Sequence, residues 1–407
     1  MSRVVIVTRL YPPEVGAGAF RLGALGRAVA REGSEVTVLT TRPPKHAPRT
    51  PDPTDVTIKR WPVLRDRGGN VRGYVQYASF DAPAAVRSLF TRYDVAVAES
   101  PPTTGLVVAI ASWLKRKPFV YYAADVWTDG VASMGAARIV VSIMRFMERA
   151  VLRRAAATIS VSDEVTERLV LLGADRDRVA TVGNGIATDI FHPDVPTPDE
   201  DGTYFVYTGT MSEWQQPDIF VRAFASIARE YPHVRLKFFG QGAVEGALRD
   251  VADELVPGRV DFGGVVSPAE SASWIKGAVG ALVSIVPGIG YDFAKPTKTY
   301  AAAAVGTPVL FAGPNTGGAL VRDADLGMST EFTVEAVAAA MRTMLADEAQ
   351  GIREAERKRR STWARENVSL SAVAHRVAQV IAQVSSSRAS RMDTASSLGT
   401  EDRNTAS

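Results

Sequence analysis

Short runs of β-branched and aromatic residues alternate along the chain with stretches whose apolar positions recur every three or four residues, and the alternation occurs twice. In the first half, RVVIVT (3–8), EVTVLTT (35–41), DVAVAE (94–99), PFVYYA (118–123) and ATISVS (157–162) predict strands. Between the first two, Leu22, Leu25 and Val29 keep helical spacing and Gly33 stands where a helix C-cap is expected, which makes a βαβ unit. The second series, TYFVYTG (203–209), VRLKFFG (234–240), RVDFGG (259–264), GALVSIVP (280–287) and TPVLFAG (307–313), predicts five more strands, with a helix over 217–230 among the connections. Strand and helix in regular alternation argue for parallel sheets covered on both faces. After Glu331 the pattern is helical to about Ser385, and the Ser-rich end is expected to be disordered.

The alternation lapses at PDVPTPDEDGT (193–203), whose proline, acid and glycine predict a linker. The expected organisation is therefore an N-terminal α/β domain over 1–195, a C-terminal one over 203–365, a helix over 366–385 returning toward the N-terminal domain, and a disordered tail over 386–407. Two such domains in tandem predict a cleft between them, the usual place for a small-molecule site.

A chain of 407 residues is long enough for two such cores, and 46% hydrophobic with 22% charged residues is globular composition. The formal net charge of +3 is too small to suggest nucleic acid as a partner. There is no cysteine, which excludes disulfides, thiolate nucleophiles and zinc-cysteine sites. The apolar run GLVVAIASWL (105–114) is half of what spans a bilayer, and RVVIVT begins at Arg3 without a basic leader, so a cytoplasmic location is the expectation.

Candidate chemistry gathers where strands are expected to end. In YPPEVGAGAFRLGALG, Gly16, Gly18 and Gly23 enter a helix, but seven residues separate the loop's glycines from Thr8 and the second strand ends in Thr40 and Thr41. A dinucleotide fingerprint needs its first glycine directly after the strand and an acid at the end of the next, so NAD binding is not expected; a loop able to approach a phosphate, or a plain turn, remains. Ser100, Asp125 and Asp129 follow two other strands, where a carboxylate either orients an acceptor hydroxyl or caps a helix. Asn184 and Gly185 form a turn near the junction. Gly209 and Gly240 end strands of the second half, and Lys298 opens an alanine-rich helix as the only cation between Lys295 and Arg322. The pairs Asp199/Asp201 and Asp323/Asp325 have no histidine near them, and His46, His192, His233 and His375 lack metal-ligand spacing, so no metal site is expected.

Taken in order, these segments resemble the retaining glycosyltransferases of family 4, over Arg3 to Val384. SPP…PFVYYAADVWTDG is similar to a branch acting on surface glycans, and ISVSDEVTERLVLLGADRDRVATVGNGIATDIFHP, YTGTMSEWQQPDIFVRAFASIAREYPHVRLKFFGQG and RVDFGGVVSPAESASWIKGAVGALVSI follow in the family's order. The resemblance implies the GT-B fold, two Rossmann-like α/β domains with parallel sheets facing a central cleft. It also implies transfer of a sugar from a UDP- or GDP-sugar to an acceptor hydroxyl with retention, without metal or cofactor. The acceptor classes left open are a glycan, a lipid-linked sugar and a small molecule. The implied donor positions are Gly16, Gly18, Asn184, Gly209, Thr210, Gly240, Val265, Thr297 and Lys298; the implied catalytic pair is Asp125 and Lys298; Ser100 and Asp129 lie on the acceptor side.

The chain departs from the family at four places. Ala301 and Phe293 stand where acids usually meet the donor, Thr210 and Gln215 where an arginine and a lysine often follow the strand, and Ala124 where a histidine is common. Losing a bidentate ribose contact costs about 1–3 kcal/mol, enough to weaken binding without forbidding reaction. The alternatives are therefore an active transferase and an inert GT-B scaffold or partner protein, with an oxidoreductase a distant third. Over 138–154, Arg138, Arg145, Arg149 and Arg153 form one stripe opposite Val140, Ile143, Met144, Met147 and Val151, a pattern that fits either peripheral contact with anionic lipid at the inner membrane face or an ordinary surface helix.

Overall fold

A computed structural model describes residues 2–14, 17–44, 47, 51–66, 69, 71, 73–133, 136–199, 202–289, 292 and 294–386. The chain divides into two compact units, Met1–Asn184 with Val373–Ser407, and Gly185–Ala372.

The first unit runs β1 (Arg3–Val7), α1 (Ala17–Arg31), β2 (Glu35–Thr41), β3 (Thr57–Trp61), α2 (Tyr74–Phe90), β4 (Val95–Glu99), α3 (Pro102–Leu114), β5 (Phe119–Ala123), α4 (Trp127–Ser133), α5 (Arg138–Arg154), β6 (Ala157–Ser160), α6 (Asp163–Leu172) and β7 (Val179–Thr181). Its seven strands are parallel in the order β3-β2-β1-β4-β5-β6-β7. Because side chains alternate across a strand, Val4, Ile6, Val95, Val97, Val120 and Tyr122 face one layer with Leu22, Leu25 and Val29 of α1. Val5, Val7, Ala96, Ala98, Phe119 and Tyr121 face the opposite layer with α2, α3 and α5. A helix over 370–386 completes the first layer through Val373, Val377, Ala378 and Ile381, and Arg376 donates to the Val182 carbonyl at 2.8 Å.

The second unit runs β8 (Tyr204–Thr208), α7 (Asp218–Ile227), β9 (Arg235–Phe239), α8 (Glu245–Leu255), β10 (Val260–Gly264), α9 (Pro268–Gly277), β11 (Gly280–Ser284), α10 (Thr297–Val305), β12 (Val309–Ala312), α11 (Asn315–Asp323), β13 (Gly327–Thr330), α12 (Val334–Ala349), α13 (Ile352–Ala355) and α14 (Arg357–Asn367). Its six parallel strands take the order β10-β9-β8-β11-β12-β13. Phe205, Tyr207, Leu236 and Phe238 pack against α7, α8 and α12, while Tyr204, Val206, Val283 and Phe311 pack against α9, α10 and α14.

Three strands, β3, β7 and β13, go beyond the sequence expectation, and all three lie at sheet edges. The division between units falls at Asn184 and Gly185, upstream of the stretch expected to be a linker. Val195 is buried in the second unit's core, and its carbonyl and that of Pro196 accept from Lys276 at 2.6 Å and Ser273 at 2.7 Å of α9. Those bonds bind the proline-rich segment to one unit. The expected disorder of the tail lies outside the described residues.

Candidate functional site

In an open parallel sheet, ligands meet the carboxyl edge where strand order reverses. In the second unit the chain steps from β8 outward through β9 to β10, then returns to the other side of β8 with β11, so the reversal lies between β8 and β11. Gly209 and Gly240 directly follow the neighbouring strands β8 and β9, and Gly264 ends β10, with φ of 110°, 127° and 65°. Gly209 N donates to Phe239 O at 2.8 Å and Gly240 N to Gly264 O at 2.6 Å. A Cβ on Gly240 would stand 2.0 Å from the Gly209 carbonyl oxygen, and one on Gly242 would stand 1.9 Å from that of Met211. The post-strand loops thus meet backbone to backbone, and only glycine fits.

Lys298 sits in the first turn of α10, the helix after β11. Its Nζ donates to the Thr210 carbonyl at 3.4 Å and lies 3.6 Å from the Tyr207 ring centroid. Tyr207 donates to the same carbonyl at 2.7 Å, and the buried Gln215 side-chain oxygen stands 2.8 Å from that hydroxyl. Lys298 makes no ion pair with a carboxylate among the described residues, and burial lowers its ammonium well below the ordinary lysine value. Pro296 at the N-cap makes no side-chain cap hydrogen bond, so the lysine lies in a first turn whose positive end has no N-cap side-chain acceptor. Gly209, Thr210, Gly240, Thr297 and Lys298 therefore come together on one edge, and Val265, directly after Gly264, is exposed there. Ala301 is only 6% exposed and belongs to the apolar core.

The first unit reverses strand order between β1 and β4, and buried charge collects at their carboxyl ends. Glu99 accepts from Thr8 Oγ1 at 2.6 Å and pairs with Arg21 at 3.4 Å; Arg21 also lies 5.1 Å from the Tyr122 ring centroid. Glu14 holds Arg65 at 2.9 Å and accepts from Thr41 at 2.8 Å. Arg9 stacks 4.3 Å from the Tyr77 ring centroid and donates to the Ser100 carbonyl at 3.4 Å. Gly18 fits against Glu99, whose carboxylate oxygen would be 3.0 Å from an added Cβ.

Asp125 is exposed at its edge, yet surrounding protein removes enough water to raise its carboxyl above the ordinary aspartate value, with Arg21 opposing the shift. Ser100 is buried, and Asp129 pairs with Arg168 at 3.5 Å on the surface. Asn184 is half-buried at the end of the first unit. Gly16 lies outside the described residues, as do Phe293, Asp201 and His46. Among the described residues no three His, Asp or Glu side chains gather in a set able to hold a metal ion.

Arg9, Arg21 and Glu99 were not singled out by sequence. The available signal was an acid ending a central strand just before Ser100. Glu148 was also missed: from α5 it accepts from the backbone N–H groups of Trp127 at 3.1 Å and Thr128 at 2.9 Å, closing the amino end of α4.

The fold is shared with solved structures. Sucrose-phosphate synthase from Thermosynechococcus elongatus aligns with a TM-score of 0.65 at 16% identity, over 95% of this chain and 100% of that one. Alr3699/HepE of Anabaena, in complex with UDP, aligns at 0.64 and 16%, over 94% and 100%. WaaG, a glycosyltransferase involved in lipopolysaccharide biosynthesis, aligns at 0.61 and 17%, over 93% and 99%. The architecture is GT-B. Residues 16–185 match the family model of a glycosyl transferase 4-like domain, and residues 202–347 match that of glycosyl transferases group 1. Fold and family models together support a glycosyltransferase of the GT-B class. No curated protein matches the sequence.

Proposed function

We propose that the chain transfers a sugar from a UDP- or GDP-sugar to an acceptor hydroxyl, with retention at the anomeric carbon and without a metal. The observation that carries this reading is Lys298, a half-buried cation without a carboxylate partner among the described residues, in the first turn of α10 and beside the Gly209–Gly240 contact, where only glycine fits at position 240. As the bond from the anomeric carbon to the diphosphate oxygen breaks, negative charge grows on the leaving group, and a fixed ammonium with helix N–H groups stabilises it. The Anabaena neighbour binds UDP and UDP-glucose, which supports a nucleoside-diphosphate donor. On the first unit, Asp125 accepts or orients the acceptor proton; desolvation raises its carboxyl above the ordinary value, which makes the carboxylate a stronger base.

The test is incubation with a panel of UDP- and GDP-sugars, with detection of released nucleoside diphosphate, with and without chelator, and assignment of the product anomer by NMR. Release that chelator does not affect, with a retained anomer, is expected. A folded protein that binds neither UDP nor GDP by calorimetry would be an inert scaffold instead.

A further inference from the structure

The outer layer of the first unit is formed by α2, α3 and α5, side by side over one face of the sheet. A helix layer that faces water normally carries both signs of charge and few large apolar groups. This layer does the opposite. Val75 (64% exposed) and Phe90 (84%) on α2, Trp113 (72%) on α3, and Ile139 (67%) and Phe146 (73%) on α5 all stand in solvent.

The charges are as one-sided. Helix α3 carries none, and the only acids on the other two helices are turned inward: Asp81 is 7% exposed and accepts from Thr104 at 2.6 Å, and Glu148 is fully buried against α4. Every exposed charge on the three helices is thus an arginine. On α5, Arg138 and Arg145 bear no ion pair among the described residues, and their row adjoins the exposed row of Ile139, Ile143 and Phe146. Of the apolar stripe that the sequence sets opposite the arginines, Met144 and Val151 are buried and Ile143 is exposed. Met144, Glu148, Val151 and Leu152 face inward, while arginine and apolar stripes share the solvent side.

Between the helices opens a groove of about 670 Å³, lined by Tyr77, Leu106, Val107, Ile143 and Met147 among others, with Asp81 as its one acid.

We propose that this face docks on an anionic phospholipid bilayer, with the arginines among the headgroups, the exposed apolar side chains at the acyl boundary and the groove open to an acyl chain. Charge complementarity selects the bilayer: a surface of arginine and apolar side chains without an exposed carboxylate on its helices matches an anionic interface. A second copy fits worse, because a two-fold contact would set arginines against arginines. The inference rests on the first unit alone and is independent of donor chemistry.

The full chain should co-sediment with vesicles of phosphatidylcholine mixed with phosphatidylglycerol, and much less with phosphatidylcholine alone. Arg138→Gln with Arg145→Gln should weaken partitioning about twenty-five-fold, about fivefold for each charge. Ile139→Ser with Phe146→Ser should also release the protein while leaving its thermal transition in place, since both side chains are exposed; if that pair unfolds, Phe146→Ser alone serves. Brominated acyl chains should quench Trp fluorescence, and Trp113→Phe should remove part of that quenching. Inorganic phosphate at the same ionic strength as a chloride control should displace no more protein than chloride does.

Absence of co-sedimentation, binding that the folded variants leave unchanged, release by phosphate alone, or a dimer in sedimentation velocity that Phe146→Ser dissociates would each overturn the proposal.

Discussion

The Lys298 ammonium lies 3.6 Å from the centroid of the Tyr207 ring, joining the first turn of α10 to strand β8 through a π face instead of an anion. Burial holds its pKa well below the ordinary lysine value, and a bound diphosphate would raise it again. Binding of UDP or GDP should therefore take up protons in the window between the two values, and affinity should fall as pH rises through it. Calorimetry in buffers of different ionisation heat measures the uptake. Lys298→Met should abolish it and lower turnover by about a hundredfold or more. The stability sign is also fixed: a lysine lowered in the fold makes stability rise with pH up to its unfolded value, and Lys298→Met should flatten that slope.

Gly240→Ala should be among the most damaging single changes. The added methyl would meet the Gly209 carbonyl at 2.0 Å with φ at 127°, so both loops must move. A loss of about 2–4 kcal/mol is expected in chemical denaturation, together with loss of nucleotide binding under conditions where the variant remains folded.

Glu148→Ala would leave the amino end of α4 without its acceptor. Two buried or half-buried N–H groups and the Thr128 hydroxyl lose their partner, which should cost about 1–3 kcal/mol in thermal or urea unfolding. Glu148→Gln, which keeps one carbonyl acceptor, should cost less.

Asp125→Asn separates chemistry from stability. Because the folded carboxyl is raised, ionising it opposes folding, so the amide should be the more stable form above the folded pKa and lose that advantage below the ordinary value of 3.8. Thermal melts across pH read the crossover. Turnover should fall by about a hundredfold or more if this carboxylate handles the acceptor proton.

Ala301→Glu tests the residue that stands in place of a family acid. With 6% exposure and neighbours in the apolar core, the new carboxylate would be desolvated, and a loss of stability is expected in place of tighter donor binding. Tighter binding of UDP or GDP by a stable variant would show that the side chain reaches the ligand edge.

The central strands were legible because burial on both faces demands unbroken apolar runs such as VVIV and VAVA. The edge strand TIKRW, interrupted by adjacent lysine and arginine, and the half-exposed GMST carry no such run. At the candidate site, Gly209, Gly240 and Lys298 announced themselves by position relative to strands. Glu99 did not, because Thr8 lies 91 residues away and Arg21 78, and pairings of that range leave no local spacing to read. Periodicity also identified α5 as amphipathic while leaving open which apolar residues face inward. That depends on where α3 and α4 pack, and Glu148 turns inward because α4 offers it donors.

From Val373 onward the helix over 370–386 belongs to the first unit's core, although these residues follow the whole of the second unit in sequence. During synthesis, then, the second unit has all of its strands before the first unit has received Val373, Val377 and Ile381. The opening domain must wait, with part of its apolar layer uncovered, until the last helix leaves the ribosome. A fragment ending at Asn184 would keep that vacancy permanently, so dividing the gene between the units should yield an aggregation-prone first half, and adding residues 370–386 in trans should improve its solubility.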